Sequence, residues 1–197
     1  MKANIKNRLR KKDIFTIPNM LSFFRILLIP LIVILYVNEY RYAAVGVIVL
    51  SALTDIVDGW IARTFHMISD FGKFLDPVAD KLTQMVMLSC LVLRYPWAIS
   101  LVALLIIKEL FQFVCGFIAF KRTDVMNSAK WFGKVNTVIL YTSMIILFLL
   151  PEIPEIIATV ILTVCGVTML LSMFLYGRFF RQMIIEANEQ GDKKDEV

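Results

Sequence analysis

The sequence predicts an all-α polytopic membrane protein, a bundle of six transmembrane helices with an N-terminal interfacial helix and both termini in the cytoplasm. Three observations carry that fold class. Of 197 residues, 59% are hydrophobic and 19% charged, and mean hydropathy is +0.75, whereas a soluble domain is about half apolar and about a quarter charged. The apolar residues gather in blocks of about 20, the length that crosses a bilayer core. Lysine and arginine, finally, are sorted to alternate connections.

Six spans follow in order: Phe15–Val37, Tyr42–Ile61, Phe71–Leu93, Trp97–Phe120, Trp131–Leu150 and Ile156–Leu175. Short links with few charges follow the first, third and fifth, and basic links follow the second and fourth. With the N-terminus inside, all but four of the 21 Lys and Arg fall at cytoplasmic ends. Arg41 and Arg94 lie outside, and Arg25 and Lys108 lie within spans. Residues 1–14 form a basic arm in which Ile5, Leu9 and Ile14 interleave with Lys and Arg, a pattern that suits a helix on an anionic leaflet or a plain topogenic cluster. Residues 15–181 make up the helical domain and 182–197 a polar tail, disordered from Asn188.

Several classes drop out. The arm lacks the cleavage site of a secretory signal. Cys90, Cys115 and Cys165 fall inside apolar segments at unrelated spacings, so they read as small buried hydrophobes. The pI near 9.2 reflects topology rather than a nucleic-acid partner. His66, the sole histidine, falls in the second link and reads as an interfacial residue.

One stretch breaks the apolar rule repeatedly. It runs Asp55-Ile-Val-Asp58-Gly59-Trp-Ile-Ala62-Arg63, then Gly72-Lys-Phe-Leu-Asp76-Pro-Val-Ala-Asp80-Lys81. Carboxylates in spans are costly unless paired, hydrated or metal-bound. Asp55 and Asp58 stand at i, i+3, while Gly72, Asp76 and Asp80 recur every four residues, so each set projects from one helix face. The short link between the spans lets all four carboxylates converge on one cytoplasm-facing cavity. Oxygen ligands without His or Cys select a hard cation, Mg²⁺ or Mn²⁺, and four suit a two-metal site clamping a phosphoryl group. A cation channel or transporter lined by aspartates would also explain intramembrane carboxylates, but not the spacing of Gly59, Ala62 and Arg63.

That array matches D-x-x-D-G-x-x-A-R…G-x-x-x-D-x-x-x-D at every defined position, and the chain resembles the CDP-alcohol phosphatidyltransferases. Phe74–Lys81 and Ile17-Pro18-Asn19 through Arg25 are similar to their phosphatidylglycerophosphate synthase branch. The resemblance implies attack of an alcohol on the β-phosphorus of CDP-diacylglycerol, with release of CMP. It places Asp55, Asp58, Asp76 and Asp80 on the metals, with Asp80 also taking the acceptor's proton. Asp58, Gly59, Ala62 and Arg63 would bind the CDP end, with Gly72 allowing close packing. A homodimer in a bacterial-type cytoplasmic membrane is also implied.

The acceptor is read from the later spans. In the synthase branch it is glycerol 3-phosphate, an anion that needs fixed cations, for which Lys108 and Lys134 are candidates. Lys108 stands beside Glu109, so an ion pair is the competing reading. Trp131-Phe132-Gly133-Lys134-Val135-Asn136-Thr137 resembles the branch's G-K-x-K-T segment, with Asn136 in place of the second lysine. That departure, and Tyr176-Gly177-Arg178, are similar to the cardiolipin synthases that use phosphatidylglycerol. Glycerol 3-phosphate is the preferred acceptor and phosphatidylglycerol the alternative.

Overall fold

The computed structural model describes residues 16–64, 72–123 and 130–195. The basic arm and His66 lie outside them, as do the side chains of Asp58, Gly59, Ala62 and Arg63. Among the described residues every regular element is helical: α1 (Ile17–Val37), α2 (Arg41–Thr64), α3 (Gly72–Val92), α4 (Ile99–Thr123), α5 (Trp131–Leu149) and α6 (Glu155–Asp195), with a 3₁₀ turn at Pro96–Ala98.

Local chemistry sets the ends. Pro18 stands in the first turn of α1 after the extended Thr16, where its missing N–H costs nothing. At the other end the Tyr40 N–H donates to the Leu35 carbonyl at 2.9 Å and the Glu39 N–H to that of Tyr36 at 3.1 Å. This pair of bonds is the Schellman closure, with Glu39 at the left-handed position (φ 63°) that glycine usually fills. The chain reverses there and enters α2. Pro30 and Pro77 lie inside α1 and α3, each removing one backbone donor from its helix.

The chain divides into two compact units. In the first, α1 packs against both α2 and α3. Its buried positions, Asn19, Ser22, Arg25, Leu28 and Ile32, recur every three or four residues and form one stripe. The stripe is polar near the start of α1 and apolar further on, where α2 offers the buried Ala44, Val45 and Ile48. In the second unit α4 packs against α6. Ala158, Leu162, Cys165, Met169 and Ser172 are buried at alternating intervals of four and three, the seam spacing of packed helices. Gly166 admits Leu101, and Gly177 admits Phe111, so α4 and α6 run parallel.

Outward faces are apolar: Leu27, Leu53, Phe113, Val138 and Phe174 are all more than half exposed. Among the described residues, four stretches are long and apolar enough to cross a membrane: Asn19–Val37, Pro96–Ala119, Trp131–Leu149 and Glu155–Glu186. The protein is a multi-pass membrane protein. α2 and α3 have 24 and 21 residues. They carry the aspartate array.

The final helix differs from expectation. It continues to Asp195, where the sequence reading ended the span at Leu175 and placed disorder from Asn188. Hydropathy marks where a helix leaves lipid, not where its backbone hydrogen bonding stops, and Glu, Ala, Gln and Lys beyond Ile185 are good helix formers. Cys90 and Cys165 are buried, as read, whereas Cys115 is only half-buried; all three are free thiols.

Candidate active site

The polar end of the α1 stripe meets both halves of the aspartate array. Arg25 is almost wholly buried, and its guanidinium is forked: Nη1 donates to Asp55 Oδ1 on α2, and Nη2 donates to Asp76 Oδ1 on α3 at 3.0 Å. Ser22, one turn earlier, donates its hydroxyl to the same Asp76 oxygen. Asp80 lies one turn beyond Asp76 and accepts from Gln84 Nε2 at 2.8 Å. Asp55 feels the attraction of Arg25 and the repulsion of Asp76 and Asp80, so three of the four predicted carboxylates share one neighbourhood.

Burial is graded across this group. Arg25 has 3% of its side chain exposed, whereas Asp55 has 51% and Asp76 39%. The cation is sealed in the helix packing and the carboxylates open outward, the arrangement a charged substrate needs. A buried guanidinium in an apolar helix demands such partners.

A model of one protein family, described as CDP-alcohol phosphatidyltransferase, matches residues 15–176. The chain belongs to that family. It is similar to the CDP-diacylglycerol–glycerol-3-phosphate 3-phosphatidyltransferase of Pectobacterium atrosepticum, with 33% identity over 183 residues, 87% of this chain and 98% of that protein. The enzyme of the same name from Shigella flexneri serotype 5b is 32% identical over 173 residues, 82% and 93% of the two chains. A cardiolipin synthase (CMP-forming)/mitochondrial hydrolase fusion protein of Schizosaccharomyces pombe is 40% identical over 99 residues, which is 50% of this chain and 17% of the fusion.

Members of the family depend on divalent metals. The residues present suit such ions in kind. Every bond that Asp55 and Asp76 accept from Arg25 and Ser22 lands on Oδ1, which leaves the Oδ2 oxygens, with Asp80, as hard donors on an accessible surface. Among the described residues no group of three His, Cys, Asp or Glu side chains is closed around a metal position; the Asp58 side chain lies outside them.

Three polar residues of this transferase carry roles that sequence reading did not assign. Arg25 reads from the sequence as a charge within a span and as the end of the Ile17–Arg25 segment, although any such charge implies a partner. Ser22 gave no signal. Gln84 continues the series Gly72, Asp76, Asp80 by one more step of four, and that periodicity was available. Gln84 is 1% exposed, so its amide holds the Asp80 rotamer from inside the bundle. Gln84→Leu is therefore expected to lower kcat about tenfold, the scale of one lost hydrogen bond to a charged group, with little change in KM for CDP-diacylglycerol. Steady-state CMP release checks this, and an unchanged kcat would detach Gln84 from the site.

The acceptor candidates belong to the second unit. Lys108 is 2% exposed and paired with Glu109, the ion pair that its sequence neighbour suggested. Lys134 is exposed in the first turn of α5. Asn136 is 3% exposed, and its Oδ1 has no hydrogen-bond partner among the described residues. Ser172 on α6 is buried, and its hydroxyl likewise has no partner among those residues. Gly133 lies against the Tyr176 hydroxyl of α6. Unpaired buried oxygens are costly, and a ligand's hydroxyls would satisfy them.

Proposed function

We propose that this chain crosses the cytoplasmic membrane of a bacterial-type cell six times, termini inside, and transfers the phosphatidyl group of CDP-diacylglycerol to sn-glycerol 3-phosphate. CMP leaves, and phosphatidylglycerophosphate is the product. The observation that carries the acceptor is the match to the Pectobacterium glycerol-3-phosphate phosphatidyltransferase over 98% of that protein's length. The lengths of α2 and α3, and the apolar residues on their exposed faces such as Leu53, Val57 and Leu82, support the two further crossings.

In this reading an acceptor hydroxyl oxygen attacks the β-phosphorus as the bond to the CMP oxygen breaks. Asp80, held by Gln84, takes the hydroxyl proton. Asp55, Asp58, Asp76 and Asp80 hold two divalent ions, Mg²⁺ or Mn²⁺, which when bound neutralise charge on the pyrophosphate and leaving group. Gly59, Ala62 and Arg63 with Asp58 receive the cytidine end, and Gly72 lets α3 begin close to it. Lys108, Lys134 and Asn136 bind the acceptor. Two copies form a homodimer.

A second reading, cardiolipin synthesis from phosphatidylglycerol, is favoured by Asn136 and by the 40% identity to the fusion protein. Detergent-solubilised protein with CDP-diacylglycerol and Mg²⁺, offered each acceptor separately, distinguishes them. Product is expected with glycerol 3-phosphate alone; turnover with phosphatidylglycerol alone would overturn the assignment. Asn136→Lys should lower KM for glycerol 3-phosphate about tenfold, the value of one charge-assisted bond. An unchanged KM would remove Asn136 from the acceptor pocket.

A further inference from the structure

We infer that Arg25 is a built-in counter-cation of the aspartate array, which holds Asp55 and Asp76 together when divalent ions are absent and opposes those ions electrostatically when they bind. The inference rests on the metal-site reading above and goes beyond it, because it assigns a residue of α1 that lies outside the family's aspartate motif.

The geometry is specific. Arg25 and Ser22 sit on one face of α1, the helix that packs against both α2 and α3. The guanidinium reaches one oxygen on each neighbouring helix, Asp55 Oδ1 and Asp76 Oδ1. Without that bridge two carboxylates on separate helices would repel across an apolar interface, with Asp80 adding to the repulsion felt by Asp55. Arginine suits the task because its planar fork makes two directed bonds and keeps its charge at any physiological pH. The bonds to Asp55 and Asp76 end on Oδ1, so the Oδ2 oxygens would stay available to a metal while the bridge is in place.

A consequence follows from charge alone. The guanidinium and a divalent ion on the same carboxylates repel each other, so each weakens the other's hold, and the coupling is reciprocal. Removing the guanidinium charge therefore tightens metal binding. It also loosens the metal-free protein more than the metal-loaded one, since bound ions neutralise the carboxylates themselves. A merely structural arginine would act otherwise: its loss would weaken both states equally and would not tighten the site for ions.

The test uses full-length protein in detergent micelles, with thermal unfolding followed in EDTA and across a MgCl₂ titration, and with Mn²⁺ binding read by electron paramagnetic resonance. For Arg25→Gln, Tm in EDTA should fall by several degrees. Saturating Mg²⁺ should restore most of that loss, so the Mg²⁺-induced shift exceeds that of the wild type. Its Mn²⁺ affinity should rise about fivefold or more, within the usual range of coupling between sites. Arg25→Lys keeps the charge but loses the fork, so its Tm in EDTA should fall while its Mn²⁺ affinity stays near wild type. Equal losses of Tm with and without Mg²⁺, or weaker Mn²⁺ binding in Arg25→Gln, would overturn the inference. If Arg25→Gln does not fold, Arg25→Lys decides alone: a Tm loss confined to EDTA supports the bridge, and an equal loss in Mg²⁺ refutes it. Wild-type protein that binds no Mn²⁺ would sink the metal-site reading and this inference with it.

Discussion

Asp76→Asn should abolish CMP release from CDP-diacylglycerol, lowering kcat by about a thousandfold or more. The carboxylate, on α3, takes its described polar contacts from two residues of α1. Its Oδ1 accepts from Ser22 and from Arg25, at 3.0 Å in the second case, and its Oδ2 is a proposed metal donor. Asparagine keeps the size and one acceptor oxygen but loses the charge, so it serves neither as a full partner of the buried guanidinium nor as a hard anionic ligand. Stability should fall as well. Breaking a fully buried pair costs about 3–5 kcal/mol; with Asp76 39% exposed, solvent screening reduces this to about 1–2 kcal/mol. Ser22→Ala separates the two effects, because it removes a bond to the same oxygen and leaves the charge in place. It should reduce Tm with at most a tenfold loss of rate. CMP release and thermal unfolding in micelles measure both variants. Retention of a tenth of the wild-type rate by Asp76→Asn would exclude Asp76 from the metal set.

The first five helices were legible in the sequence because each is built on a mostly apolar run of about the length of a bilayer core. The first five predicted spans end within three residues of the observed helices. Overrun in α6 arises because polar residues after Ile185 still favour the helical backbone, a property hydropathy does not register. The aspartate faces were legible from their three- and four-residue spacing. What joins them was not. Arg25 and Asp55 are 30 positions apart, and their encounter depends on the turn at Glu39 setting α1 against α2 in one register. No local pattern encodes that pairing, although the cost of an unpaired arginine within a span calls for a partner of some kind. Ser172 was less accessible still. A serine in an apolar run is ordinary, and only the burial of its hydroxyl without a partner among the described residues sets it apart.

Gly133→Ala is expected to strain the packing of α5 on α6 in a way that Tyr176→Phe relieves. A methyl group at position 133 would overlap the Tyr176 hydroxyl and lie 3.2 Å from two of its ring carbons. The ring has little room to yield. Phe132 meets it edge-on at 4.6 Å, Phe180 stacks at 5.9 Å, and Phe179, packed on Phe180, is capped by the Lys130 ammonium at 4.2 Å. Overpacking of this kind costs about 1–3 kcal/mol, so the alanine variant should lose several degrees in Tm. Tyr176→Phe removes the overlapping oxygen and keeps the aromatic cluster. In the double variant it should recover at least half of the loss, a coupling of about 1 kcal/mol. The same turn of α5 carries Lys134 and Asn136, so displacement at Gly133 should also raise KM for the acceptor and leave that for CDP-diacylglycerol unchanged. Thermal unfolding of the four proteins in micelles, with KM for both substrates, completes the cycle. Strictly additive losses would mean that the hydroxyl is not what Gly133 accommodates, and an unchanged acceptor KM would separate this aromatic end of the second unit from substrate recognition.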